Sequence, residues 1–214
     1  MTLLIIVGVV VVVGGVVWLV SLGVKKRREA LGGVAAGLGW GFEPGWFKFR
    51  GEPYARLPLL RRGSRWSNHL SKEGHAAAFF DFAYVVRTGK SSHAVRQTVA
   101  LLKSSGSFPL FSLRPEHFGD RIASWLGWKD IDFEDEKGFS NAYLLKGKEK
   151  EAVRTLFNWN LRDHLDKNRG WSIEGVGRWA IIYRHGKTAS PEDYADFMES
   201  TQAILALLDK GSRR

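Results

Sequence analysis

The chain has no cysteine, and its first 24 residues have no charged side chain. The first absence excludes a disulfide framework, a thiolate nucleophile and every zinc or iron–sulfur site built on Cys. Signatures of common chemistries are also missing: no HExxH or paired His at i, i+4, no phosphate-cradling Gly run ending in Lys, and no nucleophile elbow. The six histidines, His69, His75, His93, His117, His164 and His185, are dispersed and read as surface or capping residues. No catalytic residue, cofactor or metal site is assigned on this basis, and a non-enzymatic module is favoured. The remaining 190 residues hold all 32 Lys and Arg and all 22 Asp and Glu of a chain with net charge +10.

From Leu3 to Val24 the sequence is apolar apart from Gly8, Gly14, Gly15, Ser21 and Gly23. Twenty-two residues at ~1.5 Å each give roughly 33 Å, against a hydrocarbon core of about 30 Å. Ten of them are Val, a modest helix former in water, but in lipid every peptide group must be paired inside the segment, which leaves a helix. The alternative is a cleaved signal peptide, but nothing basic precedes Leu3, there is no Ala-x-Ala-like site, and the run exceeds the usual apolar core of such peptides. Lys25, Lys26, Arg27 and Arg28 follow at once. The expectation is a transmembrane helix over residues 1–24, a single pass with the N-terminus outside, and a cytoplasmic C-terminal domain.

Residues 25–74 carry 11 Lys and Arg against 4 Asp and Glu, and residues 75–214 carry 21 against 18. The excess is therefore concentrated beside the apolar run. Basic residues there gain about 1 kcal/mol each near an anionic leaflet, which makes Lys25, Lys26, Arg27 and Arg28 the candidate membrane-surface residues and the bilayer, with its anionic headgroups, the expected partner. Arg50, Arg56, Arg61, Arg62 and Arg65 interleave with Trp46, Phe47, Phe49, Tyr54 and Trp66, a mixture that also suits nucleic acid. No nucleic-acid motif accompanies it, so nucleic acid is not the expected partner, and contact through residues 48–66 stays an alternative.

The organisation reads as a basic juxtamembrane helix or stalk over 25–42, an Arg- and aromatic-rich segment over 43–74, and an α+β domain over 75–210. Ala30, Leu31, Val34, Ala35 and Leu38 recur at helical spacing, and no sustained period appears between Gly41 and Gly74. Alternation from Ala76 to Arg87 and from His93 to Lys103 predicts a β-hairpin, with turn residues from Thr88 to Ser92. Phe108 to Arg114 reads as a strand, Pro115 opens a helix through Trp125, and Phe139 to Leu145 is a further strand. A helix is predicted from about Lys148 to Lys167, then a hairpin of Trp171 to Glu174 with Arg178 to Arg184. A last helix starts at Ser190, Pro191 and Asp193, with Tyr194, Phe197, Met198, Thr201, Ile204, Leu205 and Leu208 as its buried stripe. Without regular βαβ alternation, the predicted fold class is α+β: the transmembrane helix, then an antiparallel or mixed sheet with about three helices.

The order of these features, with Phe79-Phe80-Asp81-Phe82-Ala83-Tyr84, Gln97-Thr98-Val99-Ala100-Leu101, Leu113-Arg114-Pro115-Glu116 and Asp130-Ile131-Asp132-Phe133-Glu134, resembles a family of uncharacterised bacterial proteins. They have one N-terminal membrane span and a cytoplasmic domain of unknown function. The resemblance covers most of the chain and implies architecture and an inner-membrane location. It carries no catalytic residue across.

Three acids remain as functional candidates: Asp81, Asp132 and Glu134. Asp81 interrupts an aromatic strand, either facing water on a half-exposed sheet or buried and paired with Arg96 on the neighbouring strand. Asp132 and Glu134 belong to the acidic stretch 130–136, where alternation puts both on one side, as a hard cation requires, although the spacing is not that of an EF-hand and a solvated acidic loop is the simpler reading. The expected function is a membrane-anchored binding or scaffolding module close to anionic lipid, with an unidentified protein partner. The alternative is a tethered enzyme with an acidic and His pocket around Asp81, His75 or the Asp132 and Glu134 pair.

Overall fold

A computed structural model describes residues 2–47, 54–62, 65–72, 77–89, 91–116, 128–133 and 136–213. The chain begins with a 37-residue helix, α1 (Thr2–Leu38), that ends at Gly39, whose φ of 70° suits a residue without Cβ. Strands β1 (Gly41–Phe47), β2 (Arg65–Ser71), β3 (Ala77–Thr88) and β4 (Ser91–Pro115) follow, with the short helix α2 (Pro58–Arg61) between β1 and β2. The rest is β5 (Lys129–Asp130), α3 (Lys137–Ala142), β6 (Tyr143–Gly147), α4 (Lys150–Leu156), α5 (Trp159–Lys167), β7 (Trp171–Arg184) and α6 (Tyr194–Ser212).

The seven strands form one sheet in which every pairing is antiparallel, in the order β1-β2-β3-β4-β6-β5 with β7 also on β4. Strand β4 is its spine. One edge pairs with β3 over Ser91 to Leu102 and with β6 over Phe111 to Pro115, while the other carries β7 from Val99 to Leu113. The α+β class and the antiparallel sheet are as expected. So is the β3–β4 hairpin, which closes at Thr88 opposite Ser91 with Gly89 at φ 58°.

Period-2 alternation divides the core between the two faces. Phe79, Ala100, Leu102, Ala180 and Ile182 point to a cluster covered by α1 and by α3 to α6. Phe80, Phe82, Tyr84, Val99, Leu101, Ile181 and Tyr183 point the other way, where Leu57, Leu59 and Leu60 cover them. Asp81 shares the side of Phe79, the side that α1 crosses. On α1 itself, Leu31 and Ala35, one helical turn apart, are fully buried.

The N-terminal expectation needs correction. Among the described residues, no helix is long and apolar enough to cross a membrane. The transmembrane helix over 1–24, the single pass, the outside N-terminus, the cytoplasmic placement and the inner-membrane location are withdrawn with it. The physical reason lies in the continuity of α1. The helix does not end with the apolar run at Val24 but continues through Lys25 to Arg28 onto the sheet, where Arg27 is held by Asp81 instead of standing free.

Other differences are local. Ser104 to Ser107 do not break the sheet: β4 runs unbroken for 25 residues and absorbs them as irregularities in its pairing with β7. Likewise Trp171 to Arg184 is one strand and not a hairpin, because Gly175 lets the backbone lie against Phe111, whose ring a Cβ would overlap. The helix over 148–167 is two helices, since Asn158 caps α5 by accepting the Leu161 N–H. Phe139 ends up in α3, and only Tyr143 onward is strand. The helix after Pro115 falls outside the described residues, and Pro115 itself closes β4 opposite Tyr143. Helix α6 carries the predicted buried stripe but starts at Tyr194, after a turn in which Ser190 Oγ and Asp193 bond reciprocally.

Candidate functional site

Asp81 is the centre of the best-built polar constellation. Arg27 on α1 meets its carboxylate side-on, Nε donating to Oδ2 at 2.8 Å and Nη2 to Oδ1 at 2.9 Å. Asn68 Nδ2 from β2 donates to Oδ2 at 2.8 Å, and Thr98 Oγ1 from β4 donates to Oδ1 at 3.0 Å. Thr98 Oγ1 also receives the Ala189 N–H, and Arg27 Nη1 donates to the Ala189 carbonyl at 2.9 Å. Helix α1, three strands and the segment after β7 are thereby fastened at one point. Planar, bidentate pairing is the geometry for which guanidinium is pre-shaped.

The side chains of Arg27 and Asp81 are 24% and 14% exposed. Burial works against the Arg27 charge, but the hydrogen bonds and attraction of Asp81 outweigh it and raise its pKa. Tyr194, beneath the pair, has its phenol raised by burial and by the charge of Asp81, and its OH is buried without a partner. Asp81 is therefore only slightly open to solvent, and its partner is Arg27 and not Arg96, which lies opposite Ala83. A carboxylate with four donors is a fastening, and all its polar contacts serve the fold.

The fastening forms the floor of an open cleft of about 340 Å³ between α1 and the sheet. Val20 and Val24 of α1 line one side, and Trp46, Phe82 and Ala83 line the strands. Arg27, Arg28, Arg65 and Arg96 also line it, against Asp81 as the only acid among the described lining residues. Arg65 lies over the Trp46 ring at 5.0 Å. Arg28 Nε is buried and has no acceptor among the described residues. A second cleft of about 360 Å³, between the end of β7 and α6, carries Arg184 and Lys187 against Asp193 and Asp196, so its charges balance.

Of the four collar cations, Lys25 and Lys26 are exposed, Lys25 with Glu29 at 3.9 Å, while Arg27 and Arg28 turn toward the sheet. The acidic stretch is spread out by its apolar neighbours. Ile131 and Phe133 point into the core, which turns Asp132 outward. Asp130 pairs with Lys146 at 2.9 Å, and Glu136 pairs with Arg162, which stacks on Phe133 at 4.0 Å. Glu134 and His75 lie outside the described residues. Asp132 does not line the Asp81 cleft. Among the described residues no group of three or more His, Asp or Glu is placed to hold a metal. In the Arg- and aromatic-rich segment, two of the aromatic rings are used internally, Trp66 buried and stacked on Phe80 at 5.2 Å with Phe47 edge-on to both, while Trp46 is exposed beneath Arg65.

Sequence reasoning missed Glu174, the one fully buried acid among the described residues. It sits on β7 beside Gly175, and burial raises its pKa to about 7 against the opposing pull of the Leu59 N–H and Arg62. In the structure β7 is enclosed over Trp171 to Val176, but in the sequence Gly175 and Gly177 disguised that stretch as a turn. The importance of Arg27 was hidden in the same way, because four successive cations read as a solvated collar.

No family model matches the sequence, and no curated protein matches it. The fold has a solved counterpart in the crystal structure of the mycobacterial trehalose monomycolate transport factor A. The two superpose with a TM-score of 0.59 at 11% identity, over 87% of this chain and 94% of that one. At that identity the likeness is one of fold.

Proposed function

We propose that the chain is a binding and scaffolding factor of a transport assembly, which presents α1 to an apolar helical surface of a protein partner. The observation that carries this reading is the way α1 leaves the domain. Val11, Val12 and Val13 are each more than half exposed, and three successive helix positions span most of the circumference, so no described residue covers the helix there. Val16, Trp18, Leu19 and Val20 are exposed as well. Apolar surface of that extent marks an interaction site. The Arg27–Asp81 fastening holds the helix at a defined angle to the sheet, as a scaffold requires. The fold likeness to a transport factor supports the transport context.

The test is a photoreactive residue placed at Val12 or Leu19 of the full-length chain in its own cells, with Glu192 on α6's approach as the control position. The expected result is a discrete protein adduct from the two α1 positions and none from the control. Adducts to lipid alone, or no adduct, would overturn the reading.

A further inference from the structure

The cleft beside Asp81 is a place where charge and shape disagree with a purely structural role. Four guanidinium groups converge on about 340 Å³ with one carboxylate, and that carboxylate is committed to Arg27. Arg28, Arg65 and Arg96 have no carboxylate partner among the described residues. Three like charges around a partly desolvated space repel one another, by more than in water because the local dielectric is lower. A chain that needed only stability would disperse or neutralise them. The Nε of Arg28 adds a specific demand, since a buried donor without an acceptor costs free energy that a bound oxygen would recover. Beside the cations the lining is apolar, with Val20 and Val24 on α1 and Ala83 on β3.

We propose that this cleft binds an oxyanion, of the phosphate or carboxylate type, carried on an apolar chain. Arg65 and Arg96, both exposed, reach the anion from the strands, and Arg28 Nε donates to it from α1. The apolar chain lies along Val20, Val24 and Ala83. Arg27 is committed to Asp81 through Nε and Nη2 and to the Ala189 carbonyl through Nη1, and it serves to hold α1 at the spacing the anion requires. The site does not depend on the docking of α1 to a protein partner, so either reading stands if the other fails.

The experiment is calorimetric titration of the full-length chain with dodecyl phosphate below its micelle concentration, beside inorganic phosphate and uncharged dodecyl maltoside. The expected result is saturable binding of one dodecyl phosphate per chain, weakened at least tenfold by salt and in an Arg65→Gln, Arg96→Gln double variant. These two side chains are exposed and hold no part of the core. Inorganic phosphate bound as tightly as dodecyl phosphate would support the oxyanion site and assign it to a free anion. Dodecyl maltoside bound as tightly, or dodecyl phosphate affinity unchanged in the double variant, would overturn the proposal.

Discussion

The backbone N–H of Leu59 donates to Glu174 Oε2 at 2.9 Å, joining residues 115 positions apart on the side of the sheet remote from α1. Leu59 lies in the first turn of α2, whose N-cap position, Leu57, has no side chain to accept a helix N–H. The buried acid of β7 takes that part, and Tyr183 OH donates to its other oxygen at 3.4 Å. Helix α2 is thus capped in trans, through the floor of the second core cluster.

This arrangement sets a pH dependence. Glu174 has its folded pKa raised from 4.5 to about 7 by burial, so the folded state holds its proton more tightly than the unfolded state. Its contribution is complete below the unfolded value and is lost as pH rises through about 7. Between pH 5.5 and 8.5 this one group removes about 2 kcal/mol of stability. Urea denaturation at both pH values should show that loss in the native chain and a much flatter dependence in Glu174→Gln, which stays neutral. An equal slope in the two proteins would refute the assignment.

Breaking the Arg27–Asp81 pair should be costly in a way that does not add. Arg27→Met leaves a carboxylate largely buried and should lower stability by about 2–3 kcal/mol, less than a fully enclosed pair because both side chains keep some exposure. Asp81→Leu should cost a similar amount. The double variant should be less damaged than the sum of the two, since it leaves no unpaired charge. A double-mutant cycle by chemical denaturation reads the coupling directly, and additivity within ~0.3 kcal/mol would show that the pair is not a unit.

Gly211 should tolerate nothing larger. A Cβ there would stand 2.2 Å from the Leu156 carbonyl oxygen, a backbone atom of α4 that cannot rotate away. Gly211→Ala is therefore expected to cost about 1–3 kcal/mol through displacement of α6 from α4, even though alanine is the better helix former. Gly33→Ala on α1, which meets nothing within 4 Å, is the matched control and should be neutral or stabilising. Thermal unfolding of the two variants checks the contrast.

Much of the architecture was legible because it is encoded by near neighbours. Alternation from Ala77 to Leu102 specified the hairpin, and the buried stripe of α6 from Tyr194 to Leu208 was visible at helical spacing. Where two signals met, the reading failed. Ser104 to Ser107 look like a loop and Gly175 to Gly177 like a turn, yet β4 and β7 hold each other in long register through both. Tertiary pairing overrides weak local propensity when backbone groups in the interior must find partners.

The sequence by itself determined the class of the fold, the hairpin, the final helix and the concentration of cations after an apolar run. It left open what those cations do, because four basic residues in a row look the same whether they face solvent, lipid or a carboxylate 54 positions away. Only the tertiary structure decided that Arg27 is a fastening for Asp81, that α1 is one helix joined to the sheet, and that Glu174 is enclosed. Each of these depends on what lies across the sheet, and a charge takes its energy from its surroundings, which are assembled from distant parts of the chain.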